Sequence, residues 1–334
     1  MIARSAPPTP STPAPWRRSY AQAISSLGEL LDFLGLDGAS VAAAEEAGRD
    51  FPLRVPWSFA RRMQPGDPRD PLLLQVLPTA DELTPAPGFG PDPVGDRASV
   101  AAAGLLHKYR GRVLLVVTGA CAVHCRYCFR RHFPYAEERP NDWSAALDYL
   151  ASEPTIDEVI LSGGDPLSVN DEKLAELAGR LEEIPHLERL RIHTRLPIVL
   201  PERVDEALLG WLAATRFETV VVAHANHPRE IDAEVAGALG RLRDAGATLL
   251  NQAVLLRGVN DSAEVLAELS RSLFAAGVLP YYLHLLDPVS GAAHFDLPEA
   301  EAVAIHRELR ARLPGYLVPE LVREVPGAPS KVAI

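Results

Sequence analysis

The stretch Val113-Leu-Leu-Val-Val-Thr118, followed at once by Gly119-Ala-Cys121-Ala-Val-His-Cys125-Arg-Tyr-Cys128, sets an apolar, β-prone run directly before three closely spaced thiols. A run of that kind reads as a strand buried on both faces, which a parallel sheet covered by helices requires. Working outward from it, the same rhythm recurs. Short β-rich runs fall at 158–162, 189–194, 219–223, 248–255 and 279–286. Helical patterns at 143–152, 171–183, 202–214, 231–245 and 262–276 separate them, and a sixth, 299–313, follows the last run. The strand-to-strand interval is mostly about 30 residues, the length of a βαβ unit. Six units are too few for a closed eight-stranded barrel. They fit an α/β fold of the open, partial (βα)6 TIM-like type, with a doubly wound sheet left open by periodicity alone.

The rest of the chain frames this repeat. Residues 1–16, with prolines at 7, 8, 10, 13 and 15, read as a disordered lead. Residues 17–98 read as a helical and loop extension. It has two or three short helices up to about residue 50, then a Pro- and Gly-punctuated stretch from Phe51 to Gly95 that is mostly loop wrapped over something else. Residues 99–314 carry the barrel, opening with one more short helix at 99–109, and 315–334 form a C-terminal segment.

Composition limits the function classes. With 334 residues, 47% of them hydrophobic, the chain can bury a large core. A net charge of −11 argues against a general nucleic-acid binder. No apolar run approaches the roughly 20 residues of a membrane span, and the N-terminus lacks the apolar centre of a signal peptide. The only three cysteines lie within 121–128, which is not a secreted disulfide framework. A reducing cytoplasm is the expected compartment.

In parallel βα folds the loops after the strands converge on one mouth. Here those loops carry Cys121–Cys128, Gly163-Gly164-Asp165, His193-Thr194-Arg195, His224-Ala-Asn226-His227, Asn251-Gln252 and Asp287. One such coincidence would mean little; six on one rim make a site. Three thiolates can hold three irons of a four-iron cube and leave the fourth without a protein ligand. S-adenosylmethionine can chelate that iron through its amino and carboxylate groups, and reductive cleavage of its C–S bond gives a 5′-deoxyadenosyl radical. Cys121, Cys125 and Cys128 are therefore the expected [4Fe–4S] ligands. The alternative is a zinc site completed by His124 or His132, although structural zinc usually draws on two separated knuckles. In Gly163-Gly164-Asp165-Pro166 the glycines let backbone approach a ligand and offer amides to a charged group. A plain strand-to-helix turn capped by Asp165 is the other reading. One unit after the cysteines, the motif is placed to grip the methionyl amino group.

Cys-Ala-Val-His-Cys-Arg-Tyr-Cys-Phe-Arg-Arg (121–131) and Leu-Ser-Gly-Gly-Asp-Pro-Leu (161–167) together resemble the radical S-adenosylmethionine superfamily and, more narrowly, the lysine 2,3-aminomutase family. The likeness continues through 107–113, 226–231, 251–261, 281–287 and 291–295, and so covers about residues 95–334. It implies a second cofactor, pyridoxal 5′-phosphate, carried on Lys331 in Gly-Ala-Pro-Ser-Lys. A lone lysine three residues from the end is ordinarily a solvated tail residue; only the resemblance singles it out. The resemblance also implies that Arg112 lies beside the pyridoxal phosphate and that Arg130 clamps the substrate α-carboxylate, where a guanidinium fork suits. Asp287 and Glu324 match a pair of acids that hold the distal ammonium of lysine, with Glu324 departing from the aspartate of the family pattern. Their other reading is a pair of surface acids in salt bridges. His224, Asn226 and Gln252 are assigned with Gly163, Gly164 and Asp165 to cofactor binding.

The activity so implied is conversion of free L-lysine to (R)-β-lysine through a three-membered azacyclopropyl radical, fed by a reductant such as flavodoxin or ferredoxin. The chain lacks the additional cysteines with which fermentative relatives bind zinc between subunits. In that, and in its length, it is similar to the branch whose product a separate ligase attaches to translation elongation factor P. Because few residues follow Lys331, the phosphate-side segment is expected to be incomplete or trimmed. Two rivals remain: a radical aminomutase for another amino acid, and a non-catalytic Fe–S redox or docking protein.

Overall fold

The computed structural model describes residues 14–37, 44–135 and 142–334. The expected disordered lead falls largely outside them. Its last residues do not: a helix starts at Pro15 and runs to Ala21, and Trp16 is buried. Proline at the first helical turn is favoured because its missing N–H has no intrahelical partner there.

Ten strands form one sheet whose spatial order is the order of the chain. They are β1 (Val100–Ala102), β2 (Leu105–Tyr109), β3 (Arg112–Thr118), β4 (Glu158–Gly163), β5 (Arg189–Thr194), β6 (Glu218–Ala223), β7 (Thr248–Val254), β8 (Leu279–His284), β9 (Glu320–Arg323) and β10 (Val332–Ala333). From β3 to β9 every neighbouring pair is parallel. The first and last strands do not pair, so the sheet is not closed into a barrel. The expected α/β partial barrel is the fold found, with the six expected strands at β3 to β8. Helices Ser144–Ser152, Asp171–Glu182, Glu206–Ala214, Ala233–Asp244, Ala263–Ala275 and Glu299–Arg312 make the crossovers. Most start on a side chain that caps the first turn: Asn170, Asp205, Asp232 and Ser262 each accept an N–H bond there.

Two regions differ from the reading of the sequence. Residues 99–109 are not a helix. After a 3-10 turn at Arg97–Ser99 they form β1 and β2, with β1 antiparallel to β2 and β2 antiparallel to β3. Gly104 and Gly111, both at positive φ, make the two turns, and pairing with β3 outweighs the helical bias of Ala101-Ala-Ala. The C-terminal segment adds β9 parallel to β8 and β10 antiparallel to β9, so the sheet extends beyond six units.

The stretch from Phe51 to Gly95 contains short helices at Trp57–Ala60 and Pro71–Leu74 and is otherwise mostly irregular, as expected. It does more than wrap. Val55, Phe59, Leu72 and Leu73 are fully buried, in the same hydrophobic cluster as Leu115 and Leu161 of the sheet. Each fully buried side chain of this size stabilises by about 1.5–3 kcal/mol. The extension and the sheet therefore share one core. Among the described residues no helix is long and apolar enough to cross a membrane.

Candidate active site

The segment after β3 has little regular structure, so its shape comes from outside. His124 N–H donates to the Arg54 carbonyl at 3.0 Å and Arg126 N–H to the Gln75 carbonyl at 2.9 Å. The Tyr20 hydroxyl donates to the Cys121 carbonyl at 3.1 Å. The Arg126 guanidinium is fully buried, bonds the Glu82 carboxylate at 2.8 and 2.5 Å, and donates to the carbonyls of Phe51 and Ala47. Arg131 shares the same carboxylate at 2.8 Å. The N-terminal extension is thus the mould in which the cysteine loop sets.

All three cysteines are free and lie within electrostatic reach of one another. Burial pushes the Cys121 and Cys128 thiols up, Cys128 to about 11, and the neighbouring thiols add to it. Thiols so placed are protonated at neutral pH and give up their protons on ligating a metal. In a four-iron cube each thiolate sits on a different iron. Among the described residues no three His, Cys, Asp or Glu converge on a single-ion site. The two histidines of the zinc alternative point elsewhere: His124 Nδ1 lies 2.7 Å from the Pro52 carbonyl and its ring stacks on Phe51, while His132 Nε2 faces the Ser290 carbonyl at 3.2 Å. The residues present fit a three-thiolate cluster and not that zinc site.

Gly163 and Gly164 are required, though not for the reason anticipated. A Cβ on Gly164 would lie 2.4 Å from the Ala120 carbonyl oxygen, and one on Gly163 would lie 2.5 Å from that of Thr118. The glycines let β4 pass against the backbone that leads into Cys121. Of the two glycine amides expected to meet a ligand, that of Gly164 is spent in this contact, on Thr118 O at 2.6 Å, and the next amide, Asp165 N–H, bonds Ala120 O at 2.8 Å. The Asp165 carboxylate is likewise engaged, accepting from Thr194 Oγ1 and from the N–H groups of Leu167, Arg195 and Leu196. The motif builds the wall of the site.

The three cysteines, Arg112, Arg130, Asp287, Glu324 and Lys331 line one cavity of about 450 Å³, together with residues 163–165, 193–195, His224 and Gln252; Asn226, His227 and Asn251 of the expected rim do not line it. Asn226 is fully buried behind it. Its side-chain amide donates to the Tyr127 hydroxyl and Gln75 Oε1, and its carbonyl oxygen accepts from Val254 N–H. Its expected direct cofactor contact is therefore corrected to a bracing role. His224 does face the cavity; burial, then the Arg195 charge, hold it down to about 3, so it is neutral, with Nε2 2.9 Å from the Tyr127 hydroxyl.

A chain of ion pairs crosses the cavity wall. Arg130 Nε bonds Asp96 at 2.7 Å, Lys108 bonds Asp96 at 2.6 Å and Glu324 at 2.9 Å, and Lys331 Nζ bonds the other Glu324 oxygen at 2.8 Å. Asp96 and Lys108 were not singled out beforehand. Lys108 lies within the 107–113 stretch of the family likeness, whereas Asp96, just past the loop-rich stretch, has nothing in the sequence to mark it. Burial raises Glu324, but the ammoniums of Lys331 and Lys108 outweigh that and hold it down to about 2. Asp287 goes the other way: burial first, and the Glu324 charge second, push it up to about 7. Two acids with opposite shifts in one cavity leave one anionic and one half-protonated at neutral pH.

Around Lys331 the lining is of mixed charge, with Glu324 paired to its ammonium and Arg112 and Arg130 in the same cavity. Arg112 lies over the Tyr109 ring, and the Lys331 ammonium stands 5.9 Å from the centre of the Tyr282 ring. His193 is kept neutral by burial, and its buried Nε2 has no partner. An orphaned imidazole nitrogen among cations, beside a primary amine, fits a phosphorylated aldehyde carried on Lys331.

A parallel, unclosed βα sheet with a Cys-x3-Cys-x2-Cys loop at its mouth defines a class, and residues 115–269 match the family model described as the radical SAM superfamily. The chain is 52% identical to an L-lysine 2,3-aminomutase of Escherichia coli (strain K12), over 96% of this chain and 94% of that one. It is 49% identical to one of Haemophilus influenzae, over 95% and 94%. A third, from Buchnera aphidicola, is 44% identical over 96% and 95%. The chain belongs to the L-lysine 2,3-aminomutase family of radical SAM enzymes.

Proposed function

We propose that this chain isomerises free L-lysine to (R)-β-lysine by moving the 2-amino group to carbon 3. The observation that carries the reading is the single cavity that unites the three cysteines with Lys331 and with the opposed acids Asp287 and Glu324. When bound, the cluster with S-adenosylmethionine supplies a carbon-centred radical, and pyridoxal phosphate supplies the π-system through which nitrogen can migrate. Cys121, Cys125 and Cys128 would hold the cluster, and Lys331 would carry the pyridoxal phosphate, with Arg112 in the same cavity.

The chain's own groups then do the positioning. Arg130 presents the substrate-facing part of its guanidinium while Asp96 anchors Nε and Ser162 Oγ lies 3.2 Å from a terminal nitrogen. A guanidinium so held can clamp the α-carboxylate without choosing a new rotamer. Glu324 and Asp287 receive the distal ammonium, and this favours lysine over an acidic amino acid. The histidines His193, His224 and His284, held down by desolvation, stay neutral. They add polarity without repelling that cation.

The finer reading is that the electron comes from a flavodoxin- or ferredoxin-type reductant and that a ligase attaches the β-lysine to elongation factor P in the cytoplasm. It is supported by the relatives' 94–95% coverage at 44–52% identity and by the absence of any cysteine beyond the cluster three. The test is product analysis after anaerobic incubation with a panel of free amino acids. Turnover confined to lysine is expected; preference for glutamate or an uncharged amino acid would overturn the role of the two acids.

A further inference from the structure

β5 ends at Thr194, and the next side chain, Arg195, turns inward against the cysteine loop. One terminal nitrogen of its guanidinium lies 2.7 Å from Cys125 Sγ. The other donates to Gln75 Oε1 at 2.6 Å and to Glu230 Oε2 at 3.0 Å. The guanidinium carbon stands 5.3 Å from the Phe59 ring centre and 5.7 Å from that of Tyr127, and the Arg195 N–H is held by Asp165 at 2.7 Å.

Its partners are themselves fixed. Glu230 Oε1 accepts from the N–H groups of Asn226 at 2.9 Å and His227 at 3.1 Å, and from Gln75 Nε2 at 3.1 Å. Gln75, Asn226 and Glu230 are fully buried. A guanidinium bound at one fork tip by a carboxylate and an amide, and flanked by two rings, keeps its other terminal nitrogen for the sulfur, while its buried Nε has no partner. In low dielectric, that places a positive charge closer to Cys125 than its counter-charge.

Donors to cluster sulfurs and charge near the cluster are levers on its reduction potential, because the reduced cluster carries one more negative charge. We propose that Arg195 tunes the cluster: oriented by Glu230 and Gln75, it donates to the Cys125 thiolate and raises the potential so that the reductant can deliver the electron. This rests on the reading that Cys121, Cys125 and Cys128 hold a [4Fe–4S] cluster. It gives a purpose to the N-terminal extension, which supplies Gln75 and Phe59.

The experiment is an anaerobic redox titration of the reconstituted full-length chain, followed by electron paramagnetic resonance, without substrate. Arg195→Gln, at unchanged iron and sulfide content, should lower the reduced-to-oxidised ratio at a fixed poise at least tenfold, which is about 59 mV for a one-electron couple. Arg195→Lys, which keeps the charge but not the fork, should fall between. Glu230→Gln, which removes the counter-charge and keeps the shape, should raise the ratio. Full cluster content with an unshifted ratio in Arg195→Gln would overturn the proposal. Should that variant fail to hold iron, an unshifted or lowered ratio in Glu230→Gln overturns it instead. A wild-type chain that assembles no cluster overturns the underlying reading as well, which separates the two failures.

Discussion

Asp287 offers a pH signature that can be worked out from its surroundings. Burial and the adjacent Glu324 carboxylate push it up to about 7, even though Lys331 and Lys108 pull the other way. Only the ionised form attracts the distal ammonium of lysine, and that ammonium, with a pKa of about 10.4, stays charged through neutrality. The ionised share of a group titrating at about 7 is roughly one-tenth at pH 6, half at pH 7 and nine-tenths at pH 8. Lysine binding therefore weakens as pH falls through 7. The expected KM for lysine is about tenfold higher at pH 6 than at pH 8, equal to about 1.4 kcal/mol. Glu324, held down to about 2, remains anionic throughout and contributes no slope. Steady-state KM between pH 6 and 8, at saturating S-adenosylmethionine, reads the effect, and Asp287→Asn should flatten the profile at the weak-binding level. A flat profile in the wild type, or the same slope in Asp287→Asn, would refute the assignment.

Three further perturbations separate cluster, fold and cofactor. Glu82→Ala leaves the buried guanidiniums of Arg126 and Arg131 without their counter-charge, so thermal or denaturant unfolding should show a loss of about 3–5 kcal/mol. Gly164→Ala drives a methyl into the Ala120 carbonyl, and iron bound per chain after reconstitution should fall while far-ultraviolet circular dichroism keeps its helical signal. Lys331→Ala should abolish turnover and the absorbance of bound pyridoxal phosphate while iron and sulfide content stay at the wild-type level; loss of the cluster would contradict the separation of roles.

The repeat from Val113 to Leu313 was legible because each strand is a continuous apolar run and each helix carries its own period and often its own cap. β9 was not, because Glu320-Leu-Val-Arg323 has only two apolar residues, and the two-residue β10 is below any pattern. Ala101-Ala-Ala misled because local helical bias says nothing about a neighbouring edge that needs a partner. In the site, the cysteines announced themselves by type and spacing and Asp287 by its place after a strand, whereas Glu324 and Lys331 were marked only by the family resemblance. The Arg130–Asp96–Lys108–Glu324 chain did not, since it joins residues as far apart as 216 positions whose pairing only the fold creates. Arg195 stood on the expected rim, but its meaning depends on Gln75, 120 residues earlier. Gly163 and Gly164 were singled out correctly, yet the partner they make room for is the chain's own backbone.

The most direct test of the central claim is a single anaerobic incubation. The chain, reconstituted with iron, sulfide and pyridoxal phosphate, is mixed with dithionite, S-adenosylmethionine and L-lysine, and the products are separated by chromatography. β-Lysine, formed without net consumption of S-adenosylmethionine, is the expected result. Formation of 5′-deoxyadenosine alone would mean that lysine is the wrong substrate, and neither product from a chain with a full cluster would contradict the catalytic account.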